Sequence, residues 1–130
     1  FMGLQPEACG MLGFCQANFV VEADGGVYPC DFYVTDDWYM GNIKDSDLED
    51  LRKSASARRF IETSLQPDPE CRSCHFGSLC RGGCRRNRDF MGNGNPGHNY
   101  YCSSFKDFFA YTVERFRHIA KIYGSSNYIQ

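Results

Sequence analysis

The alternation of hydrophobic and polar positions is clearest over residues 18–30. Phe19, Val21 and Ala23 interleave with Val20 and Glu22, Asp24-Gly25-Gly26 interrupts, and Val27-Tyr28 resumes. A period of two on both sides of an Asp-Gly pair predicts a β-hairpin, because glycine supplies the positive φ that a tight turn needs. Pro29 cannot donate a ladder hydrogen bond, so the return strand is expected to be an edge or to end there. Residues 46–53 then predict a short helix capped by Ser46, with Leu48 and Leu51 on one face. A second short helix is expected after Ser56, presenting Phe60 and Ile61 before Pro67 and Pro69 stop it.

Between residues 70 and 102 the apolar period disappears, and Gly77, Gly82, Gly83, Gly92, Gly94, Pro96 and Gly97 dominate. So long a loop-like stretch is uncommon in a compact domain unless something other than a core orders it. The period returns over 103–123, where Phe105, Phe108, Phe109, Thr112, Phe116, Ile119, Ala120 and Tyr123 share one helical face. Ser104 and Asp107 resemble a capping box and Gly124 suits the C′ position, while the aromatic stripe is expected to be packing core. The pattern predicts a small metal-stabilised α+β domain: an N-terminal β-hairpin, short helices, a Gly-rich cysteine loop and a C-terminal amphipathic helix.

Composition narrows the function classes. With 130 residues, 42% hydrophobic and 23% charged, the chain fits one folded domain. No apolar run approaches the roughly 20 residues of a transmembrane helix, so no membrane partner is expected. A net charge of −2 provides no global basic field, so nucleic acid is not expected either. The chain opens on Phe1-Met2 in mid-pattern, as a fragment of a longer protein would.

The informative number is eight cysteines, at Cys9, Cys15, Cys30, Cys71, Cys74, Cys80, Cys84 and Cys102. Such a count means a secreted disulfide scaffold or a metal protein. Four of them fall within 14 residues, as Cys71-X2-Cys74-X5-Cys80-X3-Cys84. A Cys-X2-Cys turn brings two thiolates to one metal, and Gly82-Gly83 lets the backbone wrap closely around a bulky object or simply turn. Spacing alone leaves zinc and iron–sulfur open. Zinc sites usually bring two paired knuckles, whereas here one Cys-X2-Cys stands beside ligands at gaps of 5, 14 and 17 residues. Arg81, Arg85, Arg86 and Arg88 are either a solvated basic face or guanidinium groups that stabilise a reduced anionic cluster. His75 is not expected to ligate, with thiols to spare, and His98 and His118 carry no argument.

The run Cys15-X9-Gly25-X4-Cys30, a gap, the four-cysteine segment, a gap and Cys102 resembles the SPASM domain. The extra Cys9, the stretch Val27-Tyr28-Pro29-Cys30-Asp31-Phe32-Tyr33 and Cys80-Arg81-Gly82-Gly83-Cys84-Arg85 are similar to the anaerobic sulfatase-maturating subgroup of radical-SAM maturases. The likeness runs from about residue 9 to residue 109, so residues 1–8 are expected to be a linker from a missing N-terminal barrel. Residues 110–130 would then be the rest of the final helix and a tail. The resemblance implies two auxiliary 4Fe–4S clusters, one on Cys9, Cys15, Cys30 and Cys84, the other on Cys71, Cys74, Cys80 and Cys102. It implies that Asp31 is a general base, against the plainer reading of a hairpin-end Asp capping local amides. It further implies a cytoplasmic parent that oxidises an active-site Cys or Ser of a sulfatase peptide to formylglycine. An acceptor such as ferredoxin or flavodoxin would take the electrons.

The Cys-X3-Cys-X2-Cys signature of a SAM-binding cluster is absent: no cysteine lies three residues after Cys84. S-adenosylmethionine and a third 4Fe–4S cluster are therefore expected only in the missing N-terminal domain, and this chain alone should not cleave SAM. Two other classes stay open: a SPASM domain of another peptide-modifying maturase, and a stand-alone zinc or iron–sulfur module.

Overall fold

The alternating segment folds as an antiparallel hairpin, and a third strand completes a sheet. The computed structural model describes residues 4–66, 68–89 and 97–126. In it β1 (Val20–Val21) pairs with β2 (Gly26–Tyr28), which pairs with β3 (Gly41–Asn42), in the order β1-β2-β3. Val21 opposes Val27, and Val27 in turn opposes Gly41. The turn is made as Asp-Gly predicts: Gly25 has φ +92° and donates its N–H to Glu22 O, while Asp24 Oδ1 accepts from Gly26 N–H at 2.8 Å. β2 is the central strand, not an edge, and ends at Tyr28, one residue before Pro29.

The early helices lie close to where the pattern puts them, with different caps. α1 (Leu48–Arg52) is capped by Asp47 rather than Ser46, its Oδ1 accepting from Asp50 N–H at 2.9 Å. It buries Leu51 but leaves Leu48 exposed, because five residues present too narrow a face for both. α2 (Ala55–Ser64) is capped by Ser54, whose Oγ accepts from Ala57 N–H, and buries Ala57, Phe60 and Ser64. It joins two small cores. Ala57 packs with Val27, Met40 and Leu51, while Phe60 packs with Tyr33 and Trp38.

The glycine-rich region is less irregular than expected. It forms α3 (Pro69–Ser73), α4 (Gly77–Cys80) and a 3₁₀ turn at Arg85–Asn87; Gly92, Gly94 and Pro96 lie outside the described residues. α3 and α4 bury no residue of their own, and helices this short are not stable by propensity. Something else must hold them.

α5 (Cys102–Ser126) begins two residues before Ser104 and continues through Gly124, so neither expected cap closes it. Its aromatic stripe is core only near the start. Phe109 is buried against Phe76, with Phe105, Thr112 and Phe116 partly covered, but Phe108, Ile119 and Tyr123 are exposed. A helix of 25 residues is about 37 Å long, and the short elements beside it cover only its first turns. No helix among the described residues is long and apolar enough to cross a membrane.

Phe60 is 1% exposed, with its ring 5.1 Å from Tyr33 and 5.3 Å from Trp38. Phe60→Ala should destabilise the metal-loaded domain by about 3–5 kcal/mol. That loss appears as a lower urea midpoint at unchanged slope.

Candidate metal centre

One group of thiols gathers where α3, α4 and α5 meet. Asp68 caps α3 by accepting from Glu70 N–H at 2.9 Å, and Pro69 takes the first helical position, where no N–H is needed. This places Cys71 on α3, and Cys74 ends the helix with an extended backbone. Gly77 opens α4 so close to α3 that a Cβ there would sit 2.8 Å from Cys71 O. Cys80 is the last residue of α4. Arg81 follows in the left-handed region at φ 50°, its N–H donating to Gly77 O. Buried Asn99 donates Nδ2–H to Gly82 O at 2.8 Å and accepts Tyr101 N–H on Oδ1, which brings the start of α5, and so Cys102, to Cys80. Cys71, Cys74, Cys80 and Cys102 line one open cavity of about 370 Å³ with Phe76, Phe105 and Phe109.

The other four line a second cavity of about 540 Å³ with Phe14, Asp31, Tyr33, Arg85 and Arg88. Cys9 sits in a 3₁₀ turn, and Cys15 ends the loop that follows, its own N–H donating to buried Ser64 Oγ at 2.8 Å. Cys30 comes two residues after β2. Cys84 arrives because Gly82 and Gly83 continue the left-handed backbone, at φ +84° and +69°, and turn the chain away from Cys80. A Cβ on Gly83 would collide with Asn99 Nδ2. Gly82 lines the first-described cavity and Gly83 the other, so the glycine pair divides them. Two further contacts fix the junction: Arg81 Nη1 donates to Met11 O at 2.9 Å, and Gly10 packs against Cys84.

The two groups of four implied by the resemblance are thus the groups that share a cavity. Asp31 lies exposed at the rim of the Cys9 cavity, where its Oδ1 accepts from the Cys30 thiol at 3.2 Å. His75 is exposed, meets Phe76 edge-on and is not part of the lining of the other cavity. Sequence reasoning missed three features. His98 lines the Cys71 cavity, 3.5 Å from Asp68. Ser64 holds the Cys15 loop. Arg85 and Arg88 are buried, although Arg81 and Arg86 are exposed as a basic face would be. The pattern read Pro69 as a helix stop rather than as the start of α3, and nothing in it marked these three features.

Burial raises the thiols of Cys15, Cys30, Cys71 and Cys80, Cys30 to about 11. For Cys15 the Arg85 and Arg88 guanidinium groups oppose that rise; for Cys71, Asp68 adds to it, followed by Cys102, Cys80 and Cys74. No disulfide pairs these cysteines. A tetrahedral zinc site would need its sulfurs about 3.8 Å apart, given Zn–S of about 2.3 Å. Among the described residues, the three potential ligands that approach within 4.8 Å of one another are Asp68, Cys71 and His98, and no three thiols do so. Two rings of four thiols, each spread around a cavity, fit a polynuclear cluster better than a single ion.

Residues 9–75 match the family of iron–sulfur cluster-binding domains called SPASM. This chain belongs to that family. The SPASM chain is 46% identical over 114 residues to the cysteine-type anaerobic sulfatase-maturating enzyme of Clostridium perfringens (strain 13 / Type A), covering 88% of this chain and 31% of that one. It is 34% identical to the serine-type enzyme of Bacteroides thetaiotaomicron, over 87% of this chain and 28% of that one. A solved structure, native anSMEcpe with bound AdoMet and Cp18Cys peptide, superposes with a TM-score of 0.86 at 45% identity, covering 88% of this chain and 32% of that chain. The SPASM chain therefore spans about a third of the length of these relatives.

Gly83→Ala forces a Cβ into Asn99 at a positive φ, so anaerobic preparations should carry markedly less iron and sulfide than the native chain. Thiols must lose protons to ligate, and at neutral pH these raised thiols are protonated, so metal binding releases protons. In the cluster-free, reduced chain, apparent Co(II) affinity should climb steadily from about pH 6 to about pH 8, roughly tenfold per pH unit for each proton displaced. A flat or falling affinity would contradict the protonated starting state.

Proposed function

We propose that this chain is the auxiliary-cluster domain of a radical-SAM enzyme that oxidises an active-site Cys or Ser of a sulfatase to formylglycine. The observation that carries the reading is the sorting of eight cysteines into two four-thiol cavities, with Asp31 exposed on the rim of one. Cys9, Cys15, Cys30 and Cys84 would hold one 4Fe–4S cluster, and Cys71, Cys74, Cys80 and Cys102 the other. When bound, these supply one-electron redox chemistry at a potential tuned by the surrounding charge and burial. The substrate class is supported by the likeness to both cysteine-type and serine-type sulfatase-maturating enzymes.

Asp31 has the placement of a proton acceptor. Its neighbour Cys30 gives up the thiol proton on ligation, which leaves the Asp31 oxygen without that donor and open to the cavity mouth. Converting a serine side chain to an aldehyde removes one proton from the hydroxyl, one hydrogen atom from Cβ and one electron. Asp31 accepts the proton; SAM, bound in the N-terminal part of the parent, would supply the radical chemistry for the hydrogen atom. Clusters held by the eight cysteines would supply the one-electron chemistry, with an acceptor such as ferredoxin or flavodoxin as the final sink. With cysteine the same losses give a thioaldehyde, which water converts to the aldehyde with release of hydrogen sulfide. A cytoplasmic, reducing setting suits eight unpaired thiols.

Asp31→Asn in the full-length parent should lower formylglycine formation by about 10²–10⁴-fold, the usual worth of a general base. Mass spectrometry of the sulfatase peptide measures the product, and iron and sulfide content should match the native enzyme. Undiminished turnover would remove Asp31 from the chemistry.

A further inference from the structure

Two guanidinium groups lie inside the domain, and they are distributed unequally between the cavities. Arg85 is 1% exposed and sits over the rings of Phe60, Trp38 and Tyr33 at 4.6, 4.7 and 5.3 Å. Its Nη1 donates to Phe60 O at 2.6 Å and Thr63 Oγ1 at 2.7 Å, both neutral acceptors at the end of α2. Arg88 is also buried and donates Nη2–H to Ser64 O at 3.0 Å. Both line the cavity of Cys9, Cys15, Cys30 and Cys84.

The other cavity has a different charge environment. Its ionisable lining includes Glu70 and Lys106, both exposed, and Asp68 acts on Cys71 from close by. Arg88 reaches this side too, since it bears on Cys80 as well as Cys15. Arg88 is therefore shared, and Arg85 belongs to the Cys9 cavity alone. Of the carboxylates on this side, Asp31 is exposed to screening solvent and Asp89 acts on Tyr33.

A buried cation acts on a neighbouring anion through a lower effective dielectric than a surface charge does. A cluster ligated by four thiolates is anionic and becomes more so when it takes an electron, so a buried cation favours the reduced form. We propose that Arg85 is a positioning residue for electron flow: it makes the Cys9 cavity the more easily reduced of the two, the domain's first electron sink. This rests on the reading that each cavity holds a cluster, and adds to it an order of reduction and the residue that sets the order.

The test is an anaerobic potentiometric titration of the holoenzyme followed by electron paramagnetic resonance. Signals are assigned by Cys84→Ala, which removes one cluster, and Cys102→Ala, which removes the other; any SAM-binding cluster is the one that SAM perturbs. The proposal expects the signal lost in Cys84→Ala to appear first on reduction in the native enzyme. Arg85→Met should shift that potential downward more than the other and narrow the gap, and Arg85→Lys should restore most of it. A merely structural role would not be rescued by charge. Should Arg85→Met fail to fold, the native order and Arg85→Lys still decide. The opposite order of reduction, or a gap that Arg85→Met leaves unmoved, overturns the proposal alone. Iron and sulfide for only one cluster beyond the SAM-binding one overturn the two-cluster reading, and this proposal with it.

Discussion

Everything in this domain depends on one backbone reversal. Arg81, Gly82 and Gly83 occupy the left-handed region in succession, at φ 50°, +84° and +69°. The reversal separates two cysteines only four positions apart, so that Cys80 faces α5 and Cys84 faces the N-terminal loop. Without it, the four-cysteine segment would close on itself. With it, the segment ties the hairpin and the first loop to the final helix. Asn99 locks the arrangement from the far side through Gly82 O, in the space that a side chain on Gly83 would take.

The need for such ties follows from how little the chain buries. Its apolar core is two small groups joined by α2, one under the sheet and one around Phe60. Beyond them, α3 and α4 bury nothing and are held between caps and cysteines. Domains with thin cores commonly rely on metal ligation for stability, because binding free energy is then folding free energy. The same economy explains the buried arginines. Arg85 donates to Phe60 O and Thr63 Oγ1, and Arg88 donates to Ser64 O, a terminal carbonyl of α2 with no helical partner, and the pair so fastens the cysteine segment to the small aromatic core.

Much of this was legible where a local rule has a sharp physical cause. Asp24-Gly25 announced the hairpin turn, Pro29 the end of β2, and the apolar period both α2 and α5. β3 was not legible, since two residues including a glycine carry no alternation. α3 and α4 were hidden because helices of four or five residues have no full period to display. The stripe on α5 read as core because periodicity reports an amphipathic face, not what covers it. Arg85 and Arg88 could not be told from Arg81 and Arg86, as burial is decided by the tertiary position of α2. At the site, spacing pointed to the cysteines as candidate metal ligands but not to which of them share a cavity, which depends on three φ angles; only the family resemblance implied that grouping.

The central claim is that neighbours in sequence serve different clusters. The most direct measurement compares Cys80→Ala with Cys84→Ala in the anaerobically prepared, dithionite-reduced enzyme, by iron content and electron paramagnetic resonance. The account predicts that each variant loses one cluster's iron and that their residual spectra are complementary, each keeping the signal the other lacks. If both variants lose the same signal, Cys80 and Cys84 share a cluster and the interleaved arrangement is wrong.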